Sequence, residues 1–293
     1  MKKRSVINYL AALICVAAIA YVFLWPHSLY DIAWLGVGRG EPETVRITAD
    51  AVTDNPIRVA VTLPAFETAA FIDQMREASA RFPIPSRQTN LTPYYFGIKL
   101  TNQHDVRAEI WTGRNGTINQ EEPANRRWGN GTYLLYQKDA EEFFRICEEW
   151  ISPDGKYPGM AFLREFFAVG KDGRSEAVFP DAPDGVYGGS AIESLYSGIK
   201  PYMTEHGFEK VLLGRSLYNL EYLCKQRGAD WYCAVVEITP ASDPGTYLYR
   251  VDLIEQASGN SGNYLFSGNY SVNEDGLVDQ FYIDLKGAVW QEE

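Results

Sequence analysis

Alternation of apolar and polar positions dominates the chain beyond residue 43. Residues 44–48 (Thr-Val-Arg-Ile-Thr) and 57–61 (Ile-Arg-Val-Ala-Val) put every second side chain on an apolar face, the period of half-buried strands. Pro64 then opens a helix with Ile72, Met75, Ser79 and Phe82 on one side. Residues 94–100 and 106–111 are rich in β-formers, with Val106, Ala108 and Ile110 facing one way and Arg107 and Glu109 the other. After a polar stretch, 132–136 predicts another strand, and Asp139 with Glu142 forms an N-cap and N3 pair opening a helix through Phe143, Cys147 and Trp150.

A turn-rich stretch at 151–159 divides the pattern into an α+β domain over 44–151 and a second over 152–293. In the second, 162–169 and 176–179 flank Gly-Lys-Asp-Gly as a predicted hairpin, and Ser190 with Glu193 reads as a capping box. That helix carries Ile192, Leu195, Tyr196 and Ile199 and is ended or kinked by Pro201. A helix over 217–226 stops at Gly228, and four strands follow over 231–239, 246–254, 264–272 and 277–285. The fold class is α+β, with antiparallel sheets and packed helices. Helices followed by a four-stranded antiparallel meander resemble cystatin-like and NTF2-like domains in pattern, with no shared motif. Over roughly the last hundred residues, the resemblance implies a curved sheet wrapped on helices.

Upstream, residues 6–25 carry no charge and follow Lys2, Lys3 and Arg4. At 1.5 Å per residue they span roughly 30 Å, the thickness of a bilayer core, so residues 1–26 are expected to form a signal-anchor or transmembrane helix. The basic head would stay cytoplasmic and the body would lie outside the cytoplasm at the cell membrane. The alternative is a cleaved signal peptide, with Ala18-Ile-Ala20 as the small-x-small site and a secreted or periplasmic body. Residues 27–43, including the Gly36-Val-Gly-Arg-Gly40 run, read as a stalk.

Charge narrows the partners. Lys and Arg number 27 against 38 Asp and Glu, a net charge of −11, and no basic run offsets it. Such a field repels phosphate backbones, so no nucleic-acid partner is expected. Of the four cysteines, Cys224 and Cys233 are spaced to close a bridge across Gly228 in an oxidising compartment, with free thiols as the other reading. There is no CxxC or Cys/His array, and neither metal nor cofactor is implied.

Catalytic signals are sparse. Ser197-Gly-Ile-Lys200 has the SxxK spacing of a serine nucleophile with a helical lysine, but no K-T-G strand accompanies it. His104 falls in a turn, and His206 is expected at a helix end where a cation is favourable. Asn90, Asn115, Asn130 and Asn269 head N-x-S/T sequons, acceptors only in a eukaryotic secretory pathway. One segment, 111–131, concentrates Trp111, Arg114, Asn115, Arg126, Arg127 and Trp128 in an otherwise acidic chain. Indoles stack on sugar rings and guanidinium forks take carboxylates, so these residues are candidates for docking a glycan or anionic polymer. The competing reading is a long hairpin loop with its tryptophans folded back into the core.

Two function classes follow. One is a noncatalytic binding or assembly module of the cell envelope, with a protein or glycan partner; the resemblance to NTF2-like domains adds a subunit of a membrane-spanning assembly. The other is an envelope hydrolase acting on glycan or peptide substrates, centred on Ser190, Ser197 or a carboxylate pair.

Overall fold

The computed structural model describes residues 9–17, 27–34, 40–51, 57–81, 94–104, 107–113, 117–121, 132–152, 155–171, 174, 195–226, 231–255, 262–285 and 289–292. In chain order the first elements are α1 (9–17), β1 (His27–Ser28), α2 (Leu29–Trp34), β2 (Thr44–Ala51), β3 (Ile57–Thr62), α3 (Ala65–Glu77) and β4 (Ser79–Arg81). There follow β5 (Tyr94–Thr101), β6 (Arg107–Gly113), β7 (Thr117–Glu121), β8 (Thr132–Leu135), α4 (Gln137–Ile151) and α5 (Met160–Phe166). A 3₁₀ turn (Lys200–Tyr202) precedes α6 (Glu205–Leu213) and α7 (Ser216–Lys225), and the chain closes with β9 (Trp231–Pro240), β10 (Thr246–Glu255), β11 (Gly262–Val272), β12 (Val278–Ile283) and β13 (Val289–Glu292).

The N-terminal expectation is corrected first. Of the segment 6–25, only α1 at 9–17 is described, about 13 Å of helix at the α-helical rise. Among the described residues no helix is long and apolar enough to cross a membrane. That finding overturns the predicted single-pass helix, and with it the cell-membrane and extracytoplasmic location drawn from it. Within the stretch expected to be stalk, β1 and α2 are regular structure, and Leu29, Ile32 and Trp34 are buried.

The chain forms two compact units, one of residues 1–45 and 65–146, the other of 46–64 and 147–293. In the first, strands run in the order β1-β4-β8-β7-β6-β5, each neighbouring pair antiparallel. Phe71 and Met75 of α3 and Phe143 of α4 are buried, and the Phe71 and Phe143 rings lie 5.9 Å apart. The predicted cap pair works differently. The helix begins at Gln137, so Asp139 is inside its first turn, where its carboxylate accepts the Ser79 N–H at 2.9 Å. Glu142 instead pairs with Arg145, whose guanidinium holds its carboxyl below the usual range.

The second unit is built on the meander. Strands run β2-β3-β9-β10-β11-β12, with β13 also on β11. Pairs are antiparallel except β3–β9, which is parallel and corrects the wholly antiparallel expectation. Alternation fixes the two faces: Tyr247, Tyr249, Val251 and Leu253 of β10 are buried, whereas Leu248 and Arg250 are exposed. Against the buried face lies α5, whose Phe162 and Phe166 rings sit 4.9 and 4.6 Å from Phe281. Residues 162–166 are therefore helix rather than strand. Phe162, Leu163, Phe166 and Phe167 are all fully buried, and this i, i+1, i+4, i+5 set makes one helical stripe. The predicted partner 176–179 lies outside the described residues.

Candidate functional site

The feature best placed for recognition is the outer face of the β9–β12 meander. Register sets Thr239, Leu248, Asn269 and Tyr282 side by side across the four strands. All four are exposed, Leu248 at 51% and Tyr282 at 58%. Beside that row, Glu237, Arg250 and Ser267 form a second, and Thr246 and Ser271 stand opposite Gln280 on the far side. Hydroxyls, amides and the ion-paired Glu237 and Arg250 thus surround one aliphatic and one phenolic side chain. The surface is suited to hydrogen bonding over a broad area and holds no described nucleophile–base pair.

Charges on this side of the sheet are matched. Arg46 reaches across from β2 to Glu237 at 2.7 Å, and Arg58 holds Asp50 at 2.6 Å. Ala60 stands in register between Thr48 and Glu237, and it is 1% exposed. The third pair is looser: Arg250 Nε lies 3.8 Å from Asp252 Oδ1, a buried oxygen without a hydrogen-bond partner among the described residues. Burial pushes the Asp252 carboxyl up, Arg250 draws it down, and Glu237 raises it.

The residues singled out by sequence fare unequally. Trp111 is half-buried on β6, opposite Gly97 of β5 and Asn119 of β7, so it belongs to a sheet and not to a loop. Arg114, Asn115, Arg126, Arg127 and Trp128 lie outside the described residues, as does Ser190. Cys224 on α7 and Cys233 on β9 carry free thiols. Burial raises both, the Cys233 thiol to about 12.

Ser197 sits in a turn, and Lys200 opens a 3₁₀ turn with its ammonium 5.4 Å from the centre of the Phe208 ring. The SxxK spacing is therefore not presented on one α-helical turn. His104 is exposed in the turn before β6. His206 is exposed in the first turn of α6, the positive end of the helix dipole, which reverses the predicted favourable placement. The reason is the Thr204 hydroxyl, which accepts the Gly207 N–H at 3.0 Å and starts the helix there. Among the described residues no group of ligands gathers to hold a metal.

No protein-family model, curated protein or solved structure matches the chain. The resemblance to cystatin-like and NTF2-like domains thus finds no counterpart among solved structures. In the sequence, the tryptophans of 111–131 stand out more than the strand alternation that marks the meander face. The signal was present: 246, 248, 250 and 252 are the outward phase of a strand already recognised.

Proposed function

We propose that this chain is a noncatalytic binding module whose exposed meander face docks a partner protein. The observation that carries this reading is the Thr239–Leu248–Asn269–Tyr282 row, with a leucine and a tyrosine each more than half exposed among uncharged polar groups. Tyrosine and arginine are enriched in protein interfaces, and anchors of this kind work best inside a polar rim. Pairing of Arg46, Arg58 and Arg250 with acids leaves this side nearly neutral in a chain of net charge −11, which favours a protein over a polyanion.

Crosslinking of the full chain in its native extract, followed by affinity capture, tests the proposal. The wild type is expected to bring down a defined protein, and Leu248→Ser with Tyr282→Ser to lose at least about tenfold in affinity. A strictly monomeric wild type with no captured partner, or capture unchanged by the double substitution, would overturn it.

A further inference from the structure

The strand order of the second unit ends at β12, and only part of that strand is covered on its outer side. At its start the Thr204 N–H donates to the Val278 carbonyl at 2.9 Å, Met203 bridges Val278, and the Thr204 hydroxyl donates to Asp279 Oδ1 at 2.7 Å. The register shift of the β11–β12 pair also falls here, between Ser271 and Val272. Beyond it, Gln280, Phe281, Tyr282 and Ile283 stand opposite Ser271, Tyr270, Asn269 and Gly268 of β11.

Hydrogen bonds fix which backbone groups turn outward. The Asp284 N–H donates to the Ser267 carbonyl at 3.0 Å, and the Tyr282 carbonyl accepts the Tyr249 hydroxyl at 2.9 Å. Alternate residues of an antiparallel strand turn their N–H and C=O to the same side, so Tyr282 shares Asp284's orientation toward β11. Phe281 and Ile283 turn theirs to the open side, where no described segment pairs with them. Their side chains point into the core: Ile283 is buried, and the Phe281 ring lies 4.9 Å from Phe162, 4.6 Å from Phe166 and 5.5 Å from Tyr249. The edge is thus already held in strand form and needs no rearrangement to accept a neighbour.

Open sheet edges are commonly guarded by Lys, Pro, a bulge or an inward charge. Gln280–Ile283 carries no charge and no proline, and the irregularity of the strand lies in its covered part. Such an edge suits the backbone of another chain, and charge decides whose. Residues 273–285 hold Glu274, Asp275, Asp279 and Asp284 and no Lys or Arg, and the chain carries −11 overall. A second copy brings the same acids and the same net charge to the contact. A foreign segment with basic residues on either side of an uncharged centre is drawn in.

We propose that the open edge of β12, at Phe281 and Ile283, takes up an extended, basic-flanked segment of a partner protein as a further strand. The added strand would lie beside Tyr282, at the end of the docking row, but the inference is read from the backbone and stands without that row. The test is hydrogen exchange and amide-resolved NMR on the full chain, with a short peptide of alternating Val and Thr bearing a Lys at each end. In dilute free protein the Phe281 and Ile283 N–H groups are expected to exchange freely while that of Tyr282 is protected. The peptide should give saturable shifts over 280–284 and slow exchange at Phe281 and Ile283 by about tenfold or more, because main-chain hydrogen bonds supply the affinity of an added strand. A version with Pro at alternate positions should do neither. One with Glu in place of Lys should bind at least about threefold more weakly at low salt, a gap that added salt closes. Protection of Phe281 and Ile283 in dilute free protein overturns the inference, as does absence of saturable shifts or equal binding of the proline or acidic peptide. Protection that grows with protein concentration alone makes a second copy the occupant and overturns it too. Leu248→Ser should leave peptide binding unchanged, so the two proposals fail separately; loss of peptide binding in that variant would put the peptide on the docking row and overturn the edge site.

Discussion

The indole of Trp111 lies over the bare α-carbon of Gly97 across the β5–β6 pair. A methyl group at 97 would meet ring atoms at 2.8 Å, so Gly97→Ala is expected to cost about 1–3 kcal/mol in urea denaturation. An unchanged midpoint would show that the ring moves freely. Asp252 makes the opposite prediction. Its folded-state pKa is raised by burial above the unfolded value, so the native state holds the proton more tightly than the unfolded chain does. The stability this group contributes is present below the unfolded pKa and is lost as pH rises through the folded one. At neutral pH, Asp252→Asn should therefore stabilise the protein by about 1 kcal/mol, an advantage that shrinks on acidification through the carboxylate range. Denaturation curves collected from pH 3 to 7 follow that difference; a gap that widens on acidification would reverse the assignment. Cys147 and Cys224 are fully buried and their thiols are raised by burial, so neither should react with Ellman's reagent until the chain unfolds.

Helix α6 shows how tightly elements are set against one another. A side chain at Gly207 would meet the carbonyl oxygens of Val278 and Asp279 at 2.7 and 2.8 Å, so the helix rests directly on the backbone of β12. Gly207→Ala should cost about 3 kcal/mol, because a backbone cannot step aside as a flexible side chain can. Thr204→Ala, which removes only the cap, should cost about 1 kcal/mol, and chemical denaturation separates the two. Elements with a clean local period were legible in the sequence: β2, β3, β5 and the strands β9–β12 fall close to their predicted spans. Others gave a false or silent signal. A short run such as Phe162-Leu-Arg-Glu-Phe-Phe fits a buried strand or a buried helix equally until its neighbours are known. Strand β7, Thr-Ile-Asn-Gln-Glu, is too polar to announce itself and takes its conformation from β6 and β8. The docking row was half legible, since alternation marks outward residues but only register brings Thr239, Leu248, Asn269 and Tyr282 into line.

At the scale of the whole molecule, the second unit is discontinuous in sequence: strands β2 and β3 are separated from β9 by the entire 65–146 segment of the first. A fragment of 147–293 leaves β9 without its parallel neighbour and opens an edge bearing Val236 and Ile238. That fragment is expected to run as oligomers or aggregates on size exclusion, and joining 46–64 ahead of it through a flexible linker should restore a monomer that unfolds cooperatively. A well-behaved 147–293 alone would show that the parallel pair is dispensable. The same discontinuity governs what happens on the ribosome. The early hairpin leaves the exit tunnel long before the strand it must meet, and at typical elongation rates the wait is on the order of ten seconds or more. During that interval Val59 and Val61 lack their β9 neighbours Val236 and Ile238, so nascent chains paused between residues 62 and 231 are where holding chaperones should be found most densely bound.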